Sequence, residues 1–255
     1  MIPLLLPPLT GLRVLVTRPA LQAEALCQRI TSLGGEVSRL PVLAIEPRTT
    51  TLPTTAYELL IFISTNAVQH GQPVLAAQPQ ARIAAVGAAT AQALQTMGHN
   101  IDITPEHAAN SETLLAHPLL QSPPANILIV RGSGGRELLR DTLITRGSRV
   151  DVVEVYERVA VTPAAECRHE LQRQLNAGEL DIISITSVDI LRALDALLDT
   201  DIRELAHDCT LLVGSARIAK AARDSGWHGE HIVAESPEDA ALITALTRWY
   251  TRARN

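Results

Sequence analysis

Apolar and polar positions along the chain fall into two alternating kinds of segment. The first kind is a short run of aliphatic and β-branched residues: Val14-Leu15-Val16-Thr17, Leu59–Ile63, Ile83–Val86, Ile127–Val130, Val150–Val155, Asp181–Ile185 and Leu211-Leu212-Val213. The second kind is longer, and its apolar residues return at helical spacing. Leu26, Ile30 and Leu33 line one face of a helix over Leu21–Leu33, which Gly34-Gly35 stops. The same reading gives helices at Thr90–Met97, at Glu137–Thr145, near Ile190–Leu198 and over Ile218–Ser225. Strands that are apolar throughout are buried on both faces, so the alternation predicts parallel sheets covered by helices on each side. The fold class is α/β.

Three blocks occur twice, in the same order. Val16-Thr17-Arg18-Pro19, with Leu33-Gly34-Gly35-Glu36-Val37 after it, returns as Val130-Arg131-Gly132 with Arg146-Gly147-Ser148-Arg149-Val150. Ile61-Phe62-Ile63-Ser64-Thr65 returns as Ile183-Ser184-Ile185-Thr186-Ser187. Val86-Gly87-Ala88-Ala89 and Met97-Gly98-His99 return as Val213-Gly214-Ser215-Ala216 and Ser225-Gly226-Trp227. Two related half-chains follow, and a pair of similar lobes is a natural place for a cleft.

Two extended segments break the rhythm, Leu40–Pro47 and Val153–Val159, and Pro41 and Pro47 restrict the first to extended geometry. Both are expected to be interdomain connectors. In the second, period-2 alternation places Val153, Val155 and Val159 on one face and Glu154, Tyr156 and Arg158 on the other. From spacing alone Tyr156 packs on the ribbon; a phenol on the polar face can also donate a proton or hydrogen bond into a cleft.

Composition narrows the function classes. At ~150 residues per domain, 255 residues make two modest domains, and 46% apolar against 19% charged is ample for a core. Lys plus Arg number 22 and Asp plus Glu 27, a net charge of −5, and aromatics are 2% of the chain. That profile has neither the basic footprint nor the stacking surface of a nucleic-acid binder. Cys27, Cys167 and Cys209 are odd in number and widely spaced, which argues against a disulfide framework and a thiolate zinc site. The apolar start Met1–Leu9 lacks a basic region and is broken by prolines, and no apolar run reaches the ~18–20 residues of a bilayer span. A cytoplasmic protein is expected.

The chain has no GxxxxGK[ST], HExxH or GxSxG motif. Arg131-Gly132-Ser133-Gly134-Gly135-Arg136 follows a strand like a dinucleotide fingerprint, but Glu137 stands where the third glycine belongs. It is either an anion cradle at a helix N-terminus or a tight strand-to-helix turn. Small-polar turns recur at Ser64-Thr65-Asn66, Gly87–Thr90, Thr186-Ser187 and Gly214-Ser215. Taken singly each is a helix cap; repeated in both half-chains, they describe a cleft rich in donors and poor in catalytic bases, suited to a large anion. His228 and His231 lack a third ligand and read as solvated surface.

Leu15–Pro19, Phe62–Val68, Val86–Ala91, Val130–Gly132 with Gly135–Leu139, Val155–Glu157 and Thr186-Ser187 together resemble the uroporphyrinogen-III synthase family. The resemblance runs from about Leu12 to about Leu246. It implies two flavodoxin-like lobes with parallel sheets joined by a two-stranded β connector. With the repeat, this places one lobe in residues 1–40 and 158–255, the other in 47–152, and the connectors at 41–46 and 153–157. It implies a hydro-lyase of haem biosynthesis: linear hydroxymethylbilane loses its hydroxyl as water, and the azafulvene attacks the substituted carbon of the terminal pyrrole. A spiro intermediate then recloses with that ring inverted, giving uroporphyrinogen III.

The resemblance further implies no metal and no cofactor, and a monomer is expected. It also implies a catalytic Tyr156 and a substrate-binding set of Arg18, Ser64, Thr65, Asn66, Thr90, Arg131, Gly132, Thr186, Ser187, Ser215 and Arg217. Arg217 departs from the repeat, which by analogy with Thr90 would have threonine there; an arginine could hold a carboxylate instead. Two other readings remain: a non-catalytic two-lobed binding protein for a polycarboxylate, and a flavodoxin-like electron carrier. The scarcity of aromatics disfavours the electron carrier.

Overall fold

Every strand anticipated above forms, and most end in a turn that opens a helix. A computed structural model describes residues 6–52, 54–105 and 110–253; the start of the apolar segment Met1–Leu9 lies outside them. The chain begins with β1 (Arg13–Val16), α1 (Ala20–Ser32), β2 (Glu36–Arg39) and β3 (Leu43–Pro47). It continues through β4 (Leu59–Phe62), α2 (Thr65–His70), α3 (Gln72–Ala77), β5 (Arg82–Ala85), α4 (Ala88–Thr96), α5 (Ser111–Leu115) and α6 (Pro118–Gln121). Then come β6 (Asn126–Gly132), α7 (Leu138–Thr145), β7 (Arg149–Ala160), α8 (Ala165–Asn176), β8 (Ile182–Ile185), α9 (Val188–Leu197) and α10 (Thr200–His207). It closes with β9 (Thr210–Val213), α11 (Ala216–Asp224), β10 (His231–Val233) and α12 (Asp239–Ala253).

These elements build two five-stranded sheets in two compact units, Met1–Ala44 with Val159–Asn255, and Ile45–Arg158. The first sheet has the order β10-β9-β8-β1-β2 and is parallel throughout. The second has the order β3-β7-β6-β4-β5, with β7, β6, β4 and β5 parallel. Strand β3 runs against β7: Arg48 N–H donates to the Val155 carbonyl and Val161 N–H to the Val42 carbonyl. Both sheets are doubly wound in the flavodoxin manner, and each carries one apolar cluster per face. On the first sheet, α1 and α12 bury Leu26, Ile30, Leu242 and Leu246 on one side, and α8 to α11 bury Leu171, Leu194, Ile202 and Ile218 on the other. On the second, α2 to α4 cover Phe62 and Val130, and α5 to α7 cover Ile61 and Ile129.

The sequence repeat has a structural counterpart. It equates β1 with β6, β2 with β7, β4 with β8 and β5 with β9, and the two sheets carry these strands in the same order, β2-β1-β8-β9 and β7-β6-β4-β5. The glycines that end the equivalent helices match as well: Gly34 and Gly147 have φ of 88° and 96°, and Gly98 and Gly226 have 85° and 91°. Only glycine adopts that left-handed C-terminal geometry cheaply.

The segments Val150–Val155 and Val153–Val159, expected as a strand and a separate connector, are one 12-residue strand, β7. Its alternation is also not the one expected. Arg131 pairs with Glu154 but Gly132 pairs with Tyr156, so Val155 is an extra residue in a β-bulge. A bulge resets which face each later residue takes. Tyr156 therefore joins Val153 and Val155 in the buried cluster under α2 and α4 instead of sharing the polar face of Glu154.

Tyr57 sits two residues before β4, buried, its hydroxyl donating to Asp151 Oδ2 at 2.8 Å. Burial first, then this carboxylate, pushes the phenol up to about 12. An unfolded tyrosine ionises near 10, so the folded state holds this proton more tightly. The resulting stabilisation is complete below pH ~10 and is lost as pH rises toward 12, up to about 3 kcal/mol at ~1.4 kcal/mol per unit. Stability from urea melts should fall more steeply between pH 9 and 12 in the native protein than in Tyr57→Phe; equal falls would exclude the linkage.

Candidate functional site

In a doubly wound sheet, ligands bind beyond the carboxyl ends of the strands, where the strand order reverses. In the first unit that point lies between β1 and β8. Thr17, just past β1, is buried and donates through Oγ1 to the Ser184 carbonyl at 2.5 Å, tying the two strands together. Arg18 follows, its guanidinium paired with Asp239 at the start of α12 and only 14% exposed. Ser187 caps α9 by accepting from Ile190 N–H at 3.1 Å, and Ser215 caps α11 by accepting from Ile218 N–H at 3.4 Å. Thr186 is half-buried beside the first cap, and Arg217 is exposed in the first turn of α11.

In the second unit the reversal lies between β4 and β6. Ser64 leaves β4 with φ −163° and ψ 163° and caps α2, its Oγ accepting from Ala67 N–H at 3.1 Å. The same Oγ lies 3.1 Å from the Tyr156 hydroxyl, which also accepts from Arg158 Nη2 at 3.2 Å. Tyr156 is 0% exposed, and its ring stands directly over Gly132. Any Cβ there would lie 2.4 Å from the ring's Cζ, so the glycine is what lets the tyrosine turn inward. Thr65 is exposed and Asn66 half-buried on α2; Thr90 is buried within α4.

Arg131 ends β6 between two carboxylates. Its Nη2 lies 2.9 Å from Glu137 Oε1 and 3.5 Å from Glu154 Oε1, and the side chain is 11% exposed. Glu154 also accepts from Gly134 N–H at 3.2 Å, which fixes the glycine loop. The segment anticipated as an anion cradle or a tight turn thus has its arginine charge matched from within the protein.

The anticipated residues therefore lie near the strand reversals or, for Thr90, Ser215 and Arg217, past the neighbouring strands β5 and β9. Arg18, Thr186, Ser187, Ser215 and Arg217 lie in the first unit; Ser64, Thr65, Asn66, Thr90, Arg131, Gly132 and Tyr156 lie in the second. Sequence reading missed Thr17, Ser184, Glu137, Glu154, Arg158 and Asp239. Thr17 was within reach, because it stands in the repeated Val-Thr-Arg-Pro block; the carboxylates carry no local signal. Among the described residues no group of three or more His, Cys, Asp or Glu side chains could hold a metal ion, and no helix is long and apolar enough to cross a membrane. The three cysteines are free thiols.

Such a pair of doubly wound sheets, one assembled from both ends of the chain, defines a two-unit α/β protein of the flavodoxin-like type. The chain belongs to the uroporphyrinogen-III synthase family: residues 24–244 match the family model described as Uroporphyrinogen-III synthase HemD. It is 35% identical over 249 residues to the Escherichia coli uroporphyrinogen-III synthase, covering 91% of this chain and 99% of that one. The Synechococcus elongatus uroporphyrinogen-III synthase is 30% identical over 267 residues, covering 95% and 97%. Among solved structures, uroporphyrinogen-III synthetase from Helicobacter pylori superposes with a TM-score of 0.65 at 16% identity, covering 93% and 99% of the two chains. A mutant uroporphyrinogen III synthase from Thermus thermophilus gives 0.61 at 20%, covering 94% and 99%. These two likenesses are of fold. Family membership favours the enzyme reading over a non-catalytic binding protein.

Proposed function

We propose that this chain closes linear hydroxymethylbilane to uroporphyrinogen III, expelling water and inverting the terminal pyrrole. One observation carries the reading beyond family membership. The residues at the carboxyl ends of the parallel strands are hydroxyls, arginines and helix first turns, the donors that the acetate and propionate groups of a tetrapyrrole require.

Uncatalysed closure gives the uninverted isomer, so the protein's task is to hold the bilane in the conformation that leads to inversion. Ser64, Thr65, Asn66, Thr186, Ser187, Ser215 and Arg217 are proposed to meet its carboxylates. Arg18 and Arg131 meet them only by exchanging Asp239, or Glu137 and Glu154, for substrate. Buried Thr90 shapes the start of α4. Tyr156 is proposed to supply the hydrogen bond that makes the bilane hydroxyl a better leaving group. The enzyme is proposed to work as a cytoplasmic monomer with neither metal nor organic cofactor and no nucleic-acid partner.

The test is to generate hydroxymethylbilane in situ, add the protein, oxidise the products and separate the porphyrin isomers. The type III isomer is expected in excess. The type I isomer alone, at the spontaneous rate, would reject the enzyme in favour of a polycarboxylate-binding protein.

A further inference from the structure

The hydroxyl network in the second unit has a direction set by valence. Arg158 has only donors, so the Tyr156 oxygen accepts from it at 3.2 Å. The backbone N–H of Ala67 has only its hydrogen to give, so Ser64 Oγ accepts that one at 3.1 Å. One hydrogen bond remains to be oriented, the 3.1 Å contact between Ser64 Oγ and the Tyr156 hydroxyl. If Ser64 donated, the Tyr156 hydrogen would be left unmatched on a side chain that is 0% exposed. If Tyr156 donates, every buried donor of this network is matched. The hydrogen left over then belongs to Ser64, which is half-buried at the carboxyl end of β4 and has no acceptor for it among the described residues.

We infer that Ser64 touches the departing hydroxyl in place of a carboxylate and that Tyr156 acts through it, a deepening that rests on the role proposed for Tyr156 above. Ser64 Oγ–H gives its proton to the hydroxymethyl oxygen as the carbon–oxygen bond breaks, and water leaves. The positive charge stays on the pyrrole-stabilised cation. Ser64 recovers a proton from Tyr156, whose oxygen is left facing the Arg158 guanidinium. When the closed ring expels the proton from its attacking carbon, that proton returns along the same path, so the protein ends as it began. Ser64 is then a catalytic residue, and Tyr156 and Arg158 are positioning residues behind it.

Single-turnover and steady-state assays on Ser64→Gly, Tyr156→Phe and the double variant test this. Glycine caps a helix nearly as well as serine, so Ser64→Gly removes the hydroxyl while α2 persists, as melting curves will verify. The expected result is a roughly 10–100-fold fall in kcat for each single variant, at or below the low end of general-acid effects, with KM little changed. The double variant should fall no further, because both changes cut one path. Ser64→Thr should recover much of the rate lost in Ser64→Gly. If Ser64→Gly keeps the native kcat while Tyr156→Phe loses it, or if the two losses multiply, the phenol acts on its own and the inference is overturned with the role of Tyr156 intact. If Tyr156→Phe keeps the native kcat, that role itself fails.

Discussion

Gly132→Ala is expected to cost both stability and turnover. The added methyl would meet Tyr156 Cζ at 2.4 Å, Cε2 at 2.6 Å and Cε1 at 2.9 Å, distances no real Cβ sustains. The ring cannot swing aside, because it is packed among Phe62, Val130, Val153 and Val155 and its hydroxyl is held by Ser64 and Arg158. Overpacking of this kind costs ~1–3 kcal/mol, and the upper end applies where backbone and a rigid ring collide. With ~2–4 °C of Tm per kcal/mol, a drop in melting temperature of several degrees follows. Turnover should fall at least as far as in Tyr156→Phe, since the hydroxyl leaves its partners. Introduced into a Tyr156→Ala protein, Gly132→Ala should cost far less stability than in the native one, because the ring it would strike is gone. A Gly132→Ala protein that melts and turns over like the native one would mean that the ring does not sit where the structure puts it.

Arg131→Met is expected to act first on stability. The arginine is 11% exposed, and its removal leaves Glu154 without a counter-charge and Glu137 with Arg140 alone, at 2.9 Å. Losing one partner of a fully buried pair costs ~3–5 kcal/mol. These carboxylates are 35% and 30% exposed, so water relieves part of the penalty and about 2 kcal/mol is the expected loss. Combining Arg131→Met with Glu154→Gln should recover most of it, because Glu137 keeps Arg140 and no orphaned carboxylate remains. Should Arg131→Met melt normally and only raise KM, the arginine is a substrate ligand and not a clamp for the glycine loop.

What the sequence revealed and what it hid divide along physical lines. The central strands were legible because burial on both faces demands unbroken apolar runs such as Leu59–Phe62 and Ile127–Val130. The sheet edges were not: β2 reads Glu-Val-Ser-Arg and β10 has three residues, since an edge strand needs little apolar surface. Helices α8 and α12 escaped for a related reason. Each buries two leucines, Leu171 and Leu175 in one and Leu242 and Leu246 in the other, too sparse a stripe to announce a helix. At the site, the serine caps were readable from Ser-x-x turns after strands. The face taken by Tyr156 was not, because a single extra residue in β7 inverts a period-2 pattern and nothing local marks it.

The matching strand order of the two sheets has a consequence for how the chain holds together. One copy of the repeat supplies β1 and β2 to the first sheet but β4 and β5 to the second; the other supplies β6 and β7 to the second but β8 and β9 to the first. The strand reversals, β1 against β8 and β4 against β6, are therefore the seams at which the two copies meet. A cut between α6 and β6 would leave two fragments, each owning half of both sheets and neither owning a seam. A half-length chain with one copy could complete its sheets only by trading strands with a second such chain. In this chain the trade is intramolecular, so both seams are present at a fixed one-to-one ratio whenever it is folded.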